Sequence, residues 1–360
     1  MSITNIFLTI TSILLILTPI RPLKVYTAPT HINHAPPPGG YHVETKLRMD
    51  DIAENIKDII TTVDTPSEGK INLQKITSPY PSCPSLWSSV HSSEYLSHLS
   101  THRGGLDSDT YISPHTYAHL PYAQTSWLSS CTSALLGQGP SLSVTRPPGH
   151  HATRCGGMGF CLVNFAAAAA KGINDKDVRD HFGASGLGSG SVKVGILDID
   201  VHFGNGIEDI LAGEDGYAYC SIHQAGIYPG NSGSDARAEN IRKVGLTQGT
   251  EGEEWGREVM IGLEWLKGQG MDVLIVACGY DGLEGDPLGG FALTPGDFRT
   301  VARDITRGFK GGEFTAWGVE GGYKTGEGGI GEAVRETIEG IMEGVEGGRE
   351  GKGEEGGITC

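Results

Sequence analysis

The sequence lacks a cysteine framework and is poor in basic residues. Its 360 residues include seven cysteines, with no CxxC pair and no regular spacing. An odd cysteine count without a framework favours a reducing compartment. Lys and Arg total 27 against 43 Asp and Glu, a formal net charge of −16. This balance argues against a protein that binds nucleic acid by neutralising phosphates. It is compatible with a positively charged partner or with solubility alone.

Long apolar runs are also scarce, and the notable one lies at the N-terminus. Residues 6–20 are largely apolar, which is too short for a comfortable membrane span and close to the core of a signal peptide. Residues 2–5 carry no Lys or Arg, and no small-x-small cleavage site follows. Residues 1–22 are therefore treated as a separate segment. A targeting signal, a membrane anchor and a mis-set start codon all stay open, and membrane association is expected only if an anchor is retained.

The sequence contains no internal repeat, and its composition of 38% hydrophobic and 19% charged residues is ordinary for a soluble enzyme. Short continuous apolar segments alternate with segments of helical spacing. This alternation predicts an α/β domain with a mostly parallel sheet. The predicted strands are 23–27, 141–145, 192–201, 217–222, 271–278 and 314–319, and the predicted helices are 50–62, 92–99, 114–136, 166–171, 207–211, 253–269 and 295–309.

The predicted domain spans residues 23–338. Residues 183–191 are rich in Gly and Ser, but they lie inside the alternation and are interpreted as a loop. Residues 339–360 are rich in Gly and Glu and lack apolar periodicity. This composition predicts a disordered tail.

Residues suited to catalysis directly follow or close five of the predicted strands. Open α/β sheets bind ligands at the carboxyl ends of their strands. Five polar clusters on one edge therefore predict a single active site there. The clusters are RPPGHH (146–151), DIDVH (198–202), SIH (221–223), GYD (279–281) and EGGY (320–323).

Asp198, Asp200 and His202 alternate along a strand end, so all three can face one site. Two carboxylates and an imidazole this close are costly to bury unless a cation neutralises them. Asp281 adds a third carboxylate at another strand end. Such O and N ligands, with room left for water and substrate, are typical of a catalytic zinc site. For the DxDxH pattern alone, a strand-end hydrogen-bond network is the alternative.

His150 and His151 follow Pro-Pro-Gly, which holds them in a rigid loop. Imidazole is the usual proton carrier near neutral pH. Taken alone, the pair could equally be metal ligands or incidental loop residues. Tyr323 follows two glycines and can bring a phenol close to a bound substrate, although a lone Tyr in this context is more often a packing residue.

Together these residues resemble the histone deacetylase family, specifically its class II-like branch. The resemblance covers roughly residues 23–326 and implies a three-layer α/β/α sandwich around a mostly parallel sheet, as in the arginase/deacetylase superfamily. The matching stretches are RPPGHHA (146–152), MGFC (158–161), DIDVHFGNG (198–206), SIHQ with YPG (221–230), GYDGLEGDPLGG (279–290) and EGGY (320–323), with weaker matches at HVETKLR (42–48), VHSSEYL (90–96) and DTYISPHTY (109–117).

The resemblance also implies roles for individual residues. One zinc ion per chain would be held by Asp200, His202 and Asp281. The general acid/base pair would be His150 and His151, oriented by Asp198 and Asn205 respectively. Tyr323 would polarise the substrate carbonyl.

The remaining implied roles concern the substrate channel and a second ion. Gly159, Phe160 and Tyr228 would line the channel for the acyl-lysine stem, with Asp109 and Leu288 at its rim. Asp198 and Ser221 would contribute to a structural K⁺ site. Phe203 and Phe165 depart from the family pattern, where a His and a polar residue are usual, and neither departure removes a catalytic group.

The expected function is zinc-dependent hydrolysis of the acetyl amide of N6-acetyl-lysine in histones or other proteins. The alternative substrate is an acetylpolyamine or another small acylated amine, and the apolar Leu288 favours acetyl-lysine. A binuclear arginase-like hydrolase would need ligands for a second metal, and a non-catalytic scaffold would be expected to have lost a ligand or Tyr323. Expected partners are an acetylated protein or peptide and corepressor-type proteins, without direct nucleic-acid binding. The family implies the nucleus or cytoplasm, whereas the apolar N-terminus leaves an organelle or the secretory route open.

Overall fold

The computed structural model describes residues 22–36, 39, 41–60, 71–187, 190–230 and 237–354. The apolar N-terminal segment and the last six residues lie outside the described residues, so the hypotheses about targeting and anchoring stay predictions. Within the described part of the chain, no helix combines the length and apolar character that a membrane crossing requires.

Eight strands form one sheet in the order β2-β1-β5-β10-β9-β6-β7-β8, and every neighbouring pair in it is parallel. A separate two-stranded antiparallel ladder is formed by β3 and β4. The strands are β1 (Leu23–Thr27), β2 (Ile71–Lys75), β3 (Gly104–Gly105), β4 (Tyr111–Ile112), β5 (Ser141–Val144), β6 (Val194–Asp198), β7 (Tyr217–Gln224), β8 (Ile241–Leu246), β9 (Val273–Cys278) and β10 (Thr315–Val319).

Helices cover both faces of this sheet. Short 3-10 turns occur at Pro29–Asn33, Lys57–Ile59, Ser185–Leu187 and Lys310–Gly312. The α-helices of the described residues are α1 (Leu47–Ile56), α2 (Cys83–Trp87), α3 (Ser93–Thr101), α4 (Thr116–Leu135), α5 (Phe165–Gly172), α6 (Lys176–His181), α7 (Asn205–Leu211), α8 (Gly252–Gly268), α9 (Pro295–Gly308) and α10 (Ile330–Glu354).

Successive residues of β9 enter different hydrophobic cores. Val273, Ile275 and Ala277 pack with α2 to α7, whereas Leu274, Val276 and Cys278 pack with α1 and α8 to α10. Burial of each Val, Leu or Ile side chain contributes roughly 1.5–3 kcal/mol, so both faces of the strand stabilise the fold. This arrangement confirms the predicted three-layer α/β/α sandwich around a parallel sheet.

The strands β2 and β8 were not predicted from the sequence. Both lie at the edges of the sheet, and β2 reads Ile-Asn-Leu-Gln-Lys with only Ile71 buried. In β8 the two end residues are buried and the four between them are not. Edge strands bury less surface than central ones, so they lack the continuous apolar run that identified the central strands.

The prediction of a disordered tail from residue 339 is wrong for residues 339–354, which continue helix α10. Ile341 and Met342 are buried in the core. A side chain at Gly340 would collide with the carbonyl oxygen of Arg299, and one at Gly344 would lie 2.6 Å from Cβ of Thr306. The glycines that indicated disorder therefore form the face along which α10 packs closely against α9.

Candidate active site

The five polar clusters meet at the carboxyl ends of five strands that are consecutive in the sheet: β5, β10, β9, β6 and β7. In chain order β9 and β10 come last, yet they lie between β5 and β6. The sheet order therefore places His150, Tyr323, Asp281, Asp200 and Ser221 on adjacent strand ends. Ligand sites at this edge are the rule for open α/β sheets.

Asp200, His202 and Asp281 form a buried cluster whose candidate ligand atoms all lie within 4.8 Å of one another. Nδ1 of His202 is 3.2 Å from Oδ1 of Asp200 and 3.0 Å from Oδ2 of Asp281. The other carboxylate oxygens accept backbone hydrogen bonds of 2.9 Å, Asp200 Oδ2 from Gly321 N–H and Asp281 Oδ1 from Val201 N–H. The remaining oxygen of each carboxylate faces the imidazole, and that of Asp200 also accepts from the backbone N–H of His202 at 2.9 Å.

The charges of this cluster fit a bound cation. Burial raises the pKa of Asp281 to about 7, and the nearby Asp200 carboxylate adds to the rise. Burial also acts on Asp200, but the charged His150 and the hydrogen bond from His202 outweigh it and lower its pKa. Two buried carboxylates that cannot both ionise cheaply are stabilised by a cation. Two oxygens and one imidazole nitrogen form a donor set suited to zinc with open coordination positions.

The histidine pair lies beside this cluster, and each ring has its own partner. Nδ1 of His150 is 3.1 Å from Oδ2 of Asp198, and Nδ1 of His151 is 2.8 Å from Oδ1 of Asn205. The centroids of the two rings are 4.0 Å apart. Both side chains are buried. Because each Nδ1 faces an oxygen acceptor, each Nε2 is available at the site.

The environments of the two histidines push their pKa values apart. Burial lowers the pKa of His151 well below its usual value, and the positive charges of His150 and His202 lower it further. Burial acts in the same direction on His150, but the carboxylates of Asp200 and Asp198 outweigh it and raise the pKa to about 10. Such a split distinguishes an unprotonated base from a protonated partner.

A cavity of about 180 Å³ leads to these groups. Gly159 forms part of its wall at φ +54°, and a Cβ there would lie 2.6 Å from the His151 ring and 2.8 Å from the Tyr228 ring. Only glycine fits this close approach. The lining residues are Asp109, His150, His151, Gly159, Phe160, His202, Ile227, Tyr228, Leu288 and Tyr323.

Phe160 adopts φ +68°, a strained conformation for a residue with a large side chain. Its backbone N–H donates to Oγ1 of Thr110 at 3.0 Å, which helps to hold this conformation. The Phe160 ring packs edge-on against Tyr323, with centroids 5.4 Å apart. Across the cavity, Tyr228 meets the His151 ring at 5.0 Å in the same edge-on manner. The structure thus brings the predicted channel residues together, and substrate binding there stays a prediction.

Asp109 and Leu288 both line the cavity, and Leu288 is 38% exposed. The carboxylate of Asp109 accepts from Thr110 Oγ1 at 2.9 Å, and the backbone carbonyl of Asp109 accepts from Nε2 of His42 at 2.8 Å. Burial raises the pKa of Asp109, and this rise is reinforced by Asp107. An acidic side chain and an apolar side chain therefore share the cavity.

Tyr323 is partly buried beside the metal-ligand cluster. Its backbone N–H donates to Oδ2 of Asp286 at 2.7 Å, and the Arg48 guanidinium lies 4.9 Å from the ring centroid. Burial raises the pKa of the phenol well above its usual value, although the charge of Arg48 opposes this. The phenol is therefore held in the protonated form, which can donate a hydrogen bond.

Ser221 pairs with Asp198 across β6 and β7, and both residues are fully buried. Oγ of Ser221 lies 2.9 Å from Nδ1 of His223. Oδ2 of Asp198 accepts from the Tyr219 hydroxyl at 2.8 Å in addition to facing His150. The two residues predicted to share a K⁺ site are thus neighbours, and the ion itself stays a prediction.

The two departures from the family pattern are packing residues. Phe203 is fully buried, with the Lys243 ammonium 4.4 Å from its ring centroid and the His223 ring 5.1 Å away. Phe165 is also fully buried, and it lies directly beneath Gly149 in the loop of the histidine pair. Neither side chain lines the cavity.

A buried ionic cluster that supports the site was not predicted from the sequence. Glu44 is fully buried and accepts from Nε of Arg146 at 2.7 Å and from Nη1 of Arg48 at 3.2 Å. Arg48 also donates to the carbonyl oxygens of Glu320 and Gly322. The weak match HVETKLR contains both Glu44 and Arg48, so this stretch carried the available signal.

This arrangement is that of an α/β/α hydrolase with candidate ligands for a metal ion. Residues 42–341 match the family model of the histone deacetylase domain. The chain therefore belongs to the histone deacetylase family, within the arginase/deacetylase superfamily, and is a hydrolytic deacetylase of that family.

Relatives with different names match the chain at similar sequence identity. An uncharacterised protein of Synechocystis sp. is 33% identical over 70% of this chain and 80% of its own length. The acetylpolyamine amidohydrolase of Mycoplana ramosa is 30% identical over 65% of each chain. The type-2 histone deacetylase 2 of Dictyostelium discoideum is 30% identical over 44% of this chain, and the match spans only 10% of that protein.

Two solved structures share the fold. The HDA15 HD domain superposes with a TM-score of 0.74 at 22% identity, covering 89% of this chain and 88% of that one. The acetylpolyamine aminohydrolase from Burkholderia pseudomallei gives a TM-score of 0.69 at 20% identity, covering 89% and 98%. At these identities the likeness concerns the fold alone.

Proposed function

We propose that this protein hydrolyses the acetyl amide of N6-acetyl-lysine in proteins or peptides. The observation that carries the proposal is the buried Asp200–His202–Asp281 cluster beside a histidine pair with opposite pKa shifts, at the base of an aromatic-walled cavity. A zinc ion held by these three residues would polarise the acetyl carbonyl and lower the pKa of a water molecule to about 7.

The two histidines divide the proton transfers. His151 is neutral, and its Nδ1 is engaged by Asn205, so its free Nε2 accepts the proton as the water oxygen adds to the carbonyl carbon. His150 is held by Asp198, whose carboxylate favours the protonated ring, and the positive charge of that ring would stabilise the negative charge that develops. When the C–N bond breaks, a histidine returns the proton to the amine. The products are acetate and the free amine.

Tyr323 supplies the hydrogen bond to the carbonyl oxygen. Its raised pKa keeps the phenol protonated, and the edge-on Phe160 ring limits its movement. A preorganised donor of this kind is worth about 3–4 kcal/mol of transition-state stabilisation. We also propose that Asp198 and Ser221 contribute to a structural K⁺ site beneath the reaction centre.

An acetylated polyamine is the second candidate substrate. The Asp109 carboxylate lines the cavity and can meet a second ammonium group, which favours this substrate. Leu288 lines the same cavity and presents an apolar surface instead. Relatives named for either substrate match the chain at similar identity, so turnover has to decide between them.

The deciding experiment measures zinc content and hydrolysis of both an acetyl-lysine peptide and acetylspermidine. Wild type is compared with Asp281→Ala and with the matched control Asp215→Ala, an exposed carboxylate that does not line the cavity. We expect one zinc per chain and faster peptide turnover, with zinc and activity lost only in Asp281→Ala. Zinc with turnover of acetylspermidine alone would establish the second candidate. Wild-type protein that binds no zinc would refute the proposal.

A further inference from the structure

Glu320 is a fully buried carboxylate to which neither the family resemblance nor the mechanism above assigns a role. It directly follows β10, and its Oε2 accepts from the backbone N–H of Gly149 at 2.5 Å and of His150 at 3.2 Å. Both amides belong to the loop that carries the histidine pair. Glu320 is therefore a firm link between this loop and β10.

The backbone around Glu320 reaches the other parts of the site. The N–H of Gly321 donates to Oδ2 of Asp200, and Tyr323 follows two residues later. Arg48 donates to the carbonyl oxygens of Glu320 and Gly322. Residues 320–323 thus contact a metal-ligand candidate, include the phenol and, through the Glu320 side chain, bond to the histidine loop.

Placing a carboxylate here is costly. Burial raises the pKa of Glu320 to about 7, although the positive charge of His150 opposes this. Its Oε1 has no hydrogen-bond partner among the described residues. An apolar residue would avoid both penalties, because an unpaired buried charge is strongly unfavourable. The bonds of Oε2 to the histidine loop are the structural feature that accounts for an acidic residue at this position.

We propose that Glu320 is a positioning residue that sets the placement of His150 and His151 relative to Asp200 and Tyr323. The proposal rests on the proposed deacetylase function. A displacement of catalytic groups by 1 Å can cost about 10²-fold in rate. Loss of the Glu320 bonds is expected to act mainly on kcat, because the carboxylate does not line the substrate cavity.

Three variants test this role. Glu320→Ala removes the acceptor, and Glu320→Gln keeps an acceptor oxygen while placing its NH₂ where Oε1 has no partner. Glu313→Ala is the matched control, since Glu313 is exposed near the other end of β10. We expect Glu320→Ala to lower kcat by about 10²-fold with KM within threefold. Glu320→Gln should recover to within tenfold of wild type, and all variants should keep zinc and a cooperative melting transition.

Hydrogen exchange supplies a readout that does not depend on activity. The segment 146–152 includes two prolines without amide protons, so its exchange comes from five amides, two of which are those of Gly149 and His150. We expect faster exchange in Glu320→Ala and wild-type exchange in Glu320→Gln. An inactive wild type would refute the proposed function but would not bear on the hydrogen bonds of Glu320. Unchanged exchange in Glu320→Ala would refute those hydrogen bonds.

Three results would overturn the proposal. These are wild-type kcat in Glu320→Ala, equal loss in the Ala and Gln variants, and a loss that merely follows zinc content or melting temperature. If Glu320→Ala does not fold, Glu320→Asp replaces it, because the shorter side chain withdraws the acceptor from Gly149. Glu320→Asp should then be at least tenfold slower than Glu320→Gln, and equal rates would refute the positioning role.

Discussion

Nδ1 of His151 lies 2.8 Å from Oδ1 of Asn205. Asn205 is neutral, so it orients the ring without the charge that would favour an imidazolium. The other histidine faces a carboxylate, Asp198, and its pKa is shifted upwards. The choice between an amide and a carboxylate partner therefore helps to separate the two histidines into a base and a protonated partner.

Replacing Asn205 with Asp should raise the pKa of His151, because a carboxylate within hydrogen-bond distance favours the protonated ring by about 1–3 pKa units. Below its pKa His151 cannot accept a proton. The acid limb of kcat/KM should therefore move to higher pH, as measured in a pH–rate profile. Asn72→Asp adds the same charge at an exposed position and should leave the profile unchanged. An unshifted limb in Asn205→Asp would exclude His151 as the base.

Replacing Tyr323 with Phe should lower kcat by about 10²–10³-fold, the usual cost of losing one oxyanion donor. The ring remains to pack against Phe160, so zinc content and melting temperature should not change. Steady-state kinetics with metal analysis checks this. A variant with wild-type kcat would show that the phenol does not contact the reacting carbonyl.

Replacing Glu44 with Gln should destabilise the fold by about 3–5 kcal/mol, because two buried guanidinium groups lose their shared counter-charge. Urea unfolding measures the change. Glu54→Gln on the exposed face of helix α1, which begins three residues after Glu44, should change the free energy of unfolding by less than about 1 kcal/mol. Equal stabilities of the two variants would contradict the importance of the buried cluster.

His91 should make the fold sensitive to mild acid. Burial lowers its pKa to about 4, and its Nδ1 donates to the carbonyl of Thr153 while its Nε2 accepts from the Asn164 N–H. The unfolded chain takes up this proton near pH 6.5, so the stabilisation is present above that pH and is lost as pH falls towards 4. Between pH 7 and pH 5 the free energy of unfolding should fall by about 2 kcal/mol because of His91.

A His91→Gln variant tests this expectation by urea unfolding at both pH values. At pH 7 the variant should have a lower free energy of unfolding than wild type. Between pH 7 and pH 5, however, its free energy of unfolding should fall by about 2 kcal/mol less than that of wild type. The matched change His98→Gln lies on the exposed face of the neighbouring helix α3. An equal pH dependence in wild type and His91→Gln would show that His91 is not the titrating group.

Alanine at Gly344 should destabilise the protein, contrary to its helix propensity. A Gly-to-Ala change inside a helix normally stabilises by about 1 kcal/mol. Here the added Cβ would lie 2.6 Å from Cβ of Thr306 and 2.8 Å from the carbonyl oxygen of Arg303. Gly268→Ala at the end of α8 meets no atom within 4 Å and is the control. A higher melting temperature for Gly344→Ala would show that α10 does not pack on α9 in this way.

Much of the fold was predictable because buried strands require continuous apolar segments. The predicted strand 23–27 coincides with β1, and the prediction of residues 271–278 extends β9 by only two residues at its start. The tail was mispredicted because the same glycines that lower helix propensity allow close contact between helices. A glycine-rich segment can be disordered or can pack closely against another helix. The outcome depends on whether a neighbouring helix is present, and the local composition does not contain that information.

The sequence by itself determined the identities of the catalytic candidates and their positions at strand ends. The alternation of side chains along a strand predicted that Asp198, Asp200 and His202 face one side, but β6 ends at Asp198, so the fold of the segment after it brings Asp200 and His202 to the site. The tertiary structure alone decided that β9 and β10 insert between β5 and β6, which brings Asp281 and Tyr323 to the histidine pair. It also decided that Glu320 bonds to the histidine loop. Strand order and buried polar contacts depend on residues far apart in the chain, because they arise from the joint burial of all the strands and helices.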